Sequence, residues 1–148
     1  MLVVIDYREK DLYARCEKLI GDCNLQENIT LSSENLPIGD IIIKDNEGNE
    51  KLIIERKSVS DLAASIGDGR YKEQSLRLHN ASLPNHNIIY LIEGNLETYR
   101  SKWNRIDKTA LYSSIVTMQY YKGFSVIKSN SLGESAEYII RYANKIHK

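Results

Sequence analysis

Three charged residues in succession, Glu55, Arg56 and Lys57, close an apolar run that begins at residue 52. A buried strand has no structural need of a carboxylate, a guanidinium and an ammonium group at its end, so the combination suggests chemistry. Side chains alternate between the two faces of a strand, which places Glu55 and Lys57 on one face and Arg56 on the other. The end of this strand therefore presents an acid beside a lysine.

Two β-rich runs, 39–45 and 50–57, flank a polar turn and are predicted to form a hairpin. A turn centred between positions 47 and 48 places Asp40 directly opposite Glu55, with Cβ atoms roughly 5 Å apart. Like charges at that separation destabilise a sheet, and a divalent cation removes the penalty. Carboxylates so placed suit Mg²⁺, which one or two carboxylates typically hold together with waters and phosphate oxygens.

Two carboxylates and a lysine on one face form a minimal site for metal-assisted hydrolysis of a phosphodiester. A bound cation polarises the phosphoryl oxygen and lowers the pKa of its water, and Lys57 can orient that water or stabilise the developing charge. Asp6, at the end of the first buried strand, is a third candidate catalytic acid, and Glu9 follows closely. A plainer interpretation stays open at this point, because charged residues at the end of a strand are usually just solvated.

Segment 98–108 is a second candidate, since four basic residues alternate there with aromatic ones. Such a mixture suits a nucleic-acid backbone and its exposed bases. A solvated loop whose Trp103 packs on the core is an equally open interpretation. The basic residues are Arg100, Lys102, Arg105 and Lys108.

The sequence holds no other chemical motif of comparable strength. It has no glycine-rich phosphate loop, no GxSxG stretch and no cluster of cysteine and histidine. Its three histidines are scattered and are predicted to be surface residues. Cys16 and Cys23 do not form a CxxC motif and are predicted to be apolar positions on one helix.

Length and composition are those of one globular domain. The chain has 148 residues, 42% hydrophobic and 27% charged, and no apolar run approaches the roughly 18 residues of a membrane span. The N-terminus enters an apolar strand at once, without a basic leader, so we expect an intracellular protein with no membrane association. The formal net charge is zero. Bulk charge therefore gives no hint of a nucleic-acid partner, and such binding would need a local patch.

Strands and helices interleave along the chain, which predicts an α/β fold with a central mixed sheet flanked by helices. Besides the hairpin, strands are predicted at 2–6, 28–34, 87–94 and 124–128. Helices are predicted at 10–21, from 58 to about 67, from 70 onward, from Asp107 to about 123, and in a C-terminal segment that includes 136–146.

The order of the charged residues resembles a known signature. Gly39 and Asp40, followed by ERKSVSD at 55–61, match the GDx(n)ERKx₃D pattern of the XPF-type structure-specific endonucleases. Further stretches similar to that family lie at 3–9, 36–40, 65–78, 90–94 and 123–139, and the last two look closest to its crossover-junction branch.

This resemblance implies a restriction-endonuclease-like fold and a division of roles. Asp40 and Glu55 would bind Mg²⁺ with the backbone carbonyl of Arg56, Mn²⁺ would substitute for it, and Lys57 would be the catalytic lysine. Arg70 would position DNA or the site. The supporting acidic residues would be Asp6, Glu9 and Asp61.

The implied function is cleavage of branched DNA, such as 3′ flaps, forks and nicked junctions, in repair and recombination. The implied location is with DNA, in the nucleus if the source is eukaryotic. Family members work as dimers, so we expect a homodimer or a heterodimer with a related subunit. They usually carry a tandem helix-hairpin-helix module after the nuclease domain, and residues 1–148 are expected to be a single nuclease domain without one.

Two other functions remain open. One is a non-catalytic DNA-binding or scaffolding subunit, against which the intact Asp40, Glu55 and Lys57 argue. The other is a sequence-specific restriction enzyme, because fold alone does not fix function. The ERKx₃D spacing disfavours it, and cleavage of linear against branched DNA would decide between them.

Overall fold

The computed structural model describes residues 1–79, 81–100 and 106–147, and it has the predicted mixed α/β architecture. One six-stranded sheet has the order β2-β1-β3-β4-β5-β6. The pairs β1–β2, β4–β5 and β5–β6 are parallel, whereas β3 is antiparallel to both of its neighbours. The strands are β1 (Leu2–Asp6), β2 (Thr30–Glu34), β3 (Ile41–Lys44), β4 (Glu50–Ser58), β5 (Ile88–Glu93) and β6 (Ser125–Ser129).

The predicted hairpin is formed by β3 and β4. Ile41 lies opposite Ile54 and Ile42 opposite Ile53, which is the predicted register, and Asp40 immediately precedes the paired residues. The register shifts only at the far end, where Lys44 pairs with Glu50. The irregularity therefore lies next to the turn and does not disturb the end of the hairpin that carries the charged residues.

Five helices cover the sheet among the described residues. Two of the predicted starts are confirmed by their caps: Ser58 accepts from the amide of Asp61 (3.0 Å), and Asp107 accepts from the amide of Ala110 (2.8 Å). These side chains satisfy amide groups that the first turn leaves without partners. The helices are α1 (Lys10–Asp22), α2 (Val59–Asp68), α3 (Arg70–His79), α4 (Lys108–Val116) and α5 (Leu132–His147).

Two short elements were not predicted. A 3-10 turn, Asn85–Asn87, precedes β5, and a π-helical segment, Thr117–Tyr121, follows α4. The segment expected to be one helix up to Gly123 is thus α4 followed by a π-helical segment. Among the described residues, no helix combines the length and the apolar character needed to cross a membrane.

The core has two layers, one on each face of the sheet. On one face α1 and α5 pack against residues such as Val3, Ile41 and Ile54. On the other, α2, α3 and α4 pack against residues such as Ile42, Ile53 and Tyr90. Side chains alternate along β4. Glu55 and Lys57 therefore lie on the same face as Ile53, and Arg56 lies on the same face as Ile54.

Candidate active site

The predicted carboxylate pair lies where the loop before β3 meets the end of β4. The amide of Asp40 donates to the carbonyl of Ile54 (2.9 Å), and its carbonyl accepts from the amide of Asp6 (2.8 Å). Gly39 has a φ of 75°, and a Cβ there would stand 2.6 Å from Cγ2 of Ile53. Glycine is therefore required for the chain to bring Asp40 to the sheet.

Both carboxyls are half-buried, and each is strained electrostatically by its surroundings. Burial raises the pKa of Asp40, against the opposing effects of the Arg56 amide and the Lys57 ammonium. Burial also raises the pKa of Glu55, and the neighbouring charge of Asp40 raises it further. A pair whose charged form is disfavoured in this way gains stability from a cation placed between its members.

Lys57 lies on the same face as Glu55, as predicted. Its Nζ is 3.4 Å from Oγ of Ser65, and that hydroxyl donates to the carbonyl of Asp61 (2.8 Å). A polar cleft of about 390 Å³ gathers the carboxylate pair, Lys57, Asp61, Ser65 and five more residues. Those five are Arg8, Glu9, Arg56, Arg70 and Gln74. The structure thus brings most of the predicted site residues into one cleft.

Arg56 points away from the pair, toward the α1–α5 layer. Its backbone amide donates to Oδ2 of Asp40 (2.8 Å). Its guanidinium contacts Glu9 (2.7 Å) and makes two hydrogen bonds to Glu93 (3.0 and 2.8 Å). Sequence reasoning missed Glu93, although the preceding apolar run and the charged residue at its end repeat the pattern that drew attention to Glu55.

Asp6 stays a predicted catalytic acid, and in the structure its carboxylate is held beside β1. It is 1% exposed, and it does not line the cleft that holds the pair. Its carboxylate accepts four hydrogen bonds, three from Arg8 (2.9 to 3.2 Å) and one from the amide of Leu36 (3.2 Å). These bonds, above all those from the Arg8 side chain, lower its pKa to about 2. Its geometry is that of a group that fastens the Leu36–Asp40 loop to β1.

We predict that the Asp6 carboxylate makes the free energy of unfolding depend on pH in the acidic range. Its folded pKa lies below the ordinary value, so its stabilisation is present above about pH 4 and is lost as pH falls toward 2. Replacing Asp6 with Asn should cost about 2 kcal/mol at pH 7, because charged hydrogen bonds are lost. Urea unfolding at pH 7, 4 and 2.5 measures this, with the exposed Asp11→Asn as control. A difference from the wild type that stays constant down to pH 2.5 would contradict the prediction.

A second cleft, of about 250 Å³, adjoins the first at the carboxylate pair. It shares Arg8 with the first cleft and adds Arg77 to the surroundings of Asp40 and Glu55, and the Arg77 guanidinium donates to the carbonyl of Pro37 (2.7 Å). Neither arginine could be singled out from the sequence, because each reaches the site from an element far from the hairpin along the chain.

The predicted basic segment is only partly visible. Arg100 is exposed, and Nζ of Lys108 donates to the carbonyl of Glu97 (2.6 Å). Lys102 and Arg105, together with Trp103, lie outside the described residues. The DNA-binding role of this segment stays a prediction.

The donor set available for a metal is small. Within the described ranges, no three side chains of histidine, cysteine, aspartate or glutamate come together in a group that could hold an ion. Asp40 and Glu55 are therefore two acidic donors without a third. This number fits Mg²⁺, which keeps several waters and is usually bound through one or two carboxylates and substrate phosphates.

Comparison with known sequences gives one family. Residues 5–142 match the profile of the ERCC4 domain. The chain is 30% identical to the probable crossover junction endonuclease mus81 of Dictyostelium discoideum, over 93% of this chain and 16% of the relative. It is 32% identical to the crossover junction endonuclease MUS81 of Oryza sativa subsp. japonica, over 99% and 21%. It is 28% identical to the structure-specific endonuclease subunit MUS81 of Homo sapiens, over 76% of this chain and 21% of the relative. The chain thus spans about a fifth of the length of these relatives.

Solved structures confirm the fold. XPF from Aeropyrum pernix superposes with a TM-score of 0.78 at 24% identity, covering 100% of this chain and 66% of that one. The same protein in complex with DNA gives a TM-score of 0.76 at 24% identity, covering 98% and 64%. The expected restriction-endonuclease-like architecture is therefore the observed one.

Proposed function

The chain belongs to the ERCC4 domain family, and from this membership and the site geometry we propose that it is the nuclease domain of a structure-specific DNA endonuclease. Its reaction would be hydrolysis of a phosphodiester close to a branch, as in a 3′ flap, a fork or a nicked junction. One observation carries the proposal: two opposed, half-buried carboxylates stand beside a lysine where two polar clefts meet.

The proposed cofactor is Mg²⁺, with Mn²⁺ as a substitute, held by Asp40, Glu55 and the backbone carbonyl of Arg56. When bound, the cation supplies polarisation of a phosphoryl oxygen and a water of lowered pKa. Asp40 is prepared for this role by the 2.8 Å hydrogen bond from the Arg56 amide to Oδ2. That bond fixes one oxygen of the Asp40 carboxylate.

Lys57 would act on the reacting groups themselves. It shares a cleft with both carboxylates, and the 3.4 Å contact with Ser65 keeps its ammonium near them. From there it can orient the attacking water or stabilise the charge that develops on the phosphoryl oxygens. Lys57 contributes this without being needed to hold the cation.

Arginines would hold the DNA backbone on both sides of the pair. Arg77 lines one cleft, Arg70 lines the other, and Arg8 lines both. Guanidinium groups bind phosphate oxygens well, because their planar donors match the geometry of that group. A strand that passes over the carboxylate pair would therefore meet cationic groups before and after the reacting phosphate.

The proposal also includes a second subunit and the cellular compartment in which the protein acts. The human relative is named a subunit of a structure-specific endonuclease, which supports a homodimer or a heterodimer with a related chain. Branched DNA would be the substrate partner, during repair or recombination and in the compartment that holds DNA. The basic residues of segment 98–108 would add contacts to the backbone.

Cleavage of a panel of labelled substrates tests the proposal. End-labelled 3′-flap, fork, nicked-junction and linear duplex DNA would be incubated with the protein in Mg²⁺, in Mn²⁺ and in a chelator. We expect metal-dependent cuts near the branch and little cutting of the linear duplex. Sequence-dependent cutting of the linear duplex would indicate a restriction enzyme. Binding of branched DNA without any cleavage would indicate a scaffolding subunit.

A further inference from the structure

A cluster of three charged side chains lies at the same end of β4 as the carboxylate pair, on the face of the sheet that α1 and α5 cover. Arg56 lies between Glu9, at the start of α1, and Glu93, at the end of β5. Its Nη1 donates to Glu9 (2.7 Å), while Nε and Nη2 donate to the two oxygens of Glu93 (3.0 and 2.8 Å). The three side chains are only 21%, 19% and 17% exposed. Two carboxylates therefore hold one guanidinium from both sides.

Glu93 is itself fixed by the layer beneath it. Oγ of Ser135, in the first turn of α5, donates to Oε1 of Glu93 at 2.6 Å. That hydroxyl lies 2.9 Å from Oγ of Ser129, the last residue of β6, and both serines are buried. Glu93 is thus anchored through α5 and β6, and not only through the strand that carries it.

The cluster is linked to the proposed metal site through one residue. The backbone amide of Arg56 donates to Oδ2 of Asp40 (2.8 Å), and the same residue directly follows Glu55. A guanidinium with donors bound on two sides has one available orientation, which restricts the side-chain and backbone angles of Arg56. The position of the amide that aims Asp40 therefore depends on what holds the guanidinium.

Burying three charges is costly, and well-packed apolar residues would usually give as stable a fold. The link to Asp40 gives this cluster a use that stability alone does not. We propose that Glu93 is a positioning residue, which sets the cation affinity of the Asp40–Glu55 pair by holding Arg56 on the face of the sheet that α1 and α5 cover. This inference rests on the proposed function, because it concerns the same site.

Titration of the DNA-free protein with Mg²⁺, followed by thermal unfolding, tests the inference without any cleavage assay. The variant Glu93→Gln keeps the shape of the side chain but loses its charge and one acceptor oxygen. We expect the Mg²⁺ concentration at half-maximal stabilisation to rise about 10- to 100-fold, the usual effect of changing a group that supports a metal ligand. Glu137→Gln is the matched control, since Glu137 also pairs with an arginine (3.2 Å) but on the exposed face of α5.

A second variant keeps the inference testable if Glu93→Gln does not fold. Ser135→Ala removes the 2.6 Å bond to Glu93 and leaves the contacts to Arg56, so it should raise the Mg²⁺ midpoint by a smaller factor. Lower melting temperatures in chelator with an unchanged Mg²⁺ midpoint, in either variant, would make the cluster merely structural and overturn the inference. A wild type that Mg²⁺ does not stabilise would instead overturn the proposed metal site itself, and the inference with it.

Discussion

Replacing Asp40 with Asn is expected to lower the rate of DNA cleavage by at least about 10³-fold and to leave the fold intact. The amide oxygen of Asn can still accept the hydrogen bond from the Arg56 backbone, so the loop before β3 keeps its anchor. What disappears is one of two charges that burial disfavours. Without metal, the variant should therefore be more stable than the wild type, by on the order of 1 kcal/mol.

Cleavage of the branched substrates and thermal unfolding in chelator measure the two effects together. Asp22→Asn, an equal change of charge on the exposed end of α1, is the control and should alter neither. Loss of cleavage together with a higher melting temperature would show that the buried charge of Asp40 lowers stability and is needed for cleavage. Cleavage at the wild-type rate would remove Asp40 from the mechanism, and a lower melting temperature would contradict the account of the buried pair.

The second large effect is expected for Lys57→Met, which keeps most of the length of the side chain and removes its charge. Cleavage should fall by about 10² to 10³-fold, since the variant loses the group that assists the reacting water or the developing charge. Binding of Mg²⁺ should stay at least as tight, because the lysine opposes a cation at the carboxylate pair. The two readouts therefore separate chemistry from metal binding.

Lys51→Met is a suitable control for that variant. Lys51 lies on the same strand, is exposed, and pairs with Asp45 in the hairpin turn at 3.7 Å. It should leave cleavage unchanged. If Lys57→Met lost Mg²⁺ affinity and cleavage in the same proportion, Lys57 would be acting on the metal site and not on the reacting groups.

The hairpin and its carboxylate pair could be predicted because their causes are local. The polar residues after Lys44 fix the turn, and alternation along two short strands then fixes which side chains share a face. The register survives even though it shifts beside the turn, where the Asp45 carboxylate accepts from the amides of Glu47 and Asn49 (both 2.9 Å). The cap at Ser58 could likewise be predicted, since it acts on an amide only three residues away.

The partners of Arg56 and Asp6 could not be predicted in the same way. Glu93 is 37 residues from Arg56, and the two meet because β4 and β5 pair in parallel after the crossover through α2 and α3. Nothing in the alternation of a parallel strand fixes its register against a neighbour that is reached through two helices. Asp6 was expected among the catalytic acids because it ends a strand. The hydrogen bond from Leu36, 30 residues away, shows how fully its carboxylate is engaged.

The most direct test of the central claim is to locate the cation. Crystals of the protein grown or soaked in Mn²⁺ would be measured near the manganese absorption edge, where anomalous scattering marks the ion. We predict a peak between Asp40 and Glu55, within about 2.0 to 2.3 Å of an oxygen of each, and no peak there in Asp40→Asn. A peak bound to other residues, or an empty pair at a Mn²⁺ concentration that supports cleavage, would contradict the assignment of these two carboxylates as the metal site.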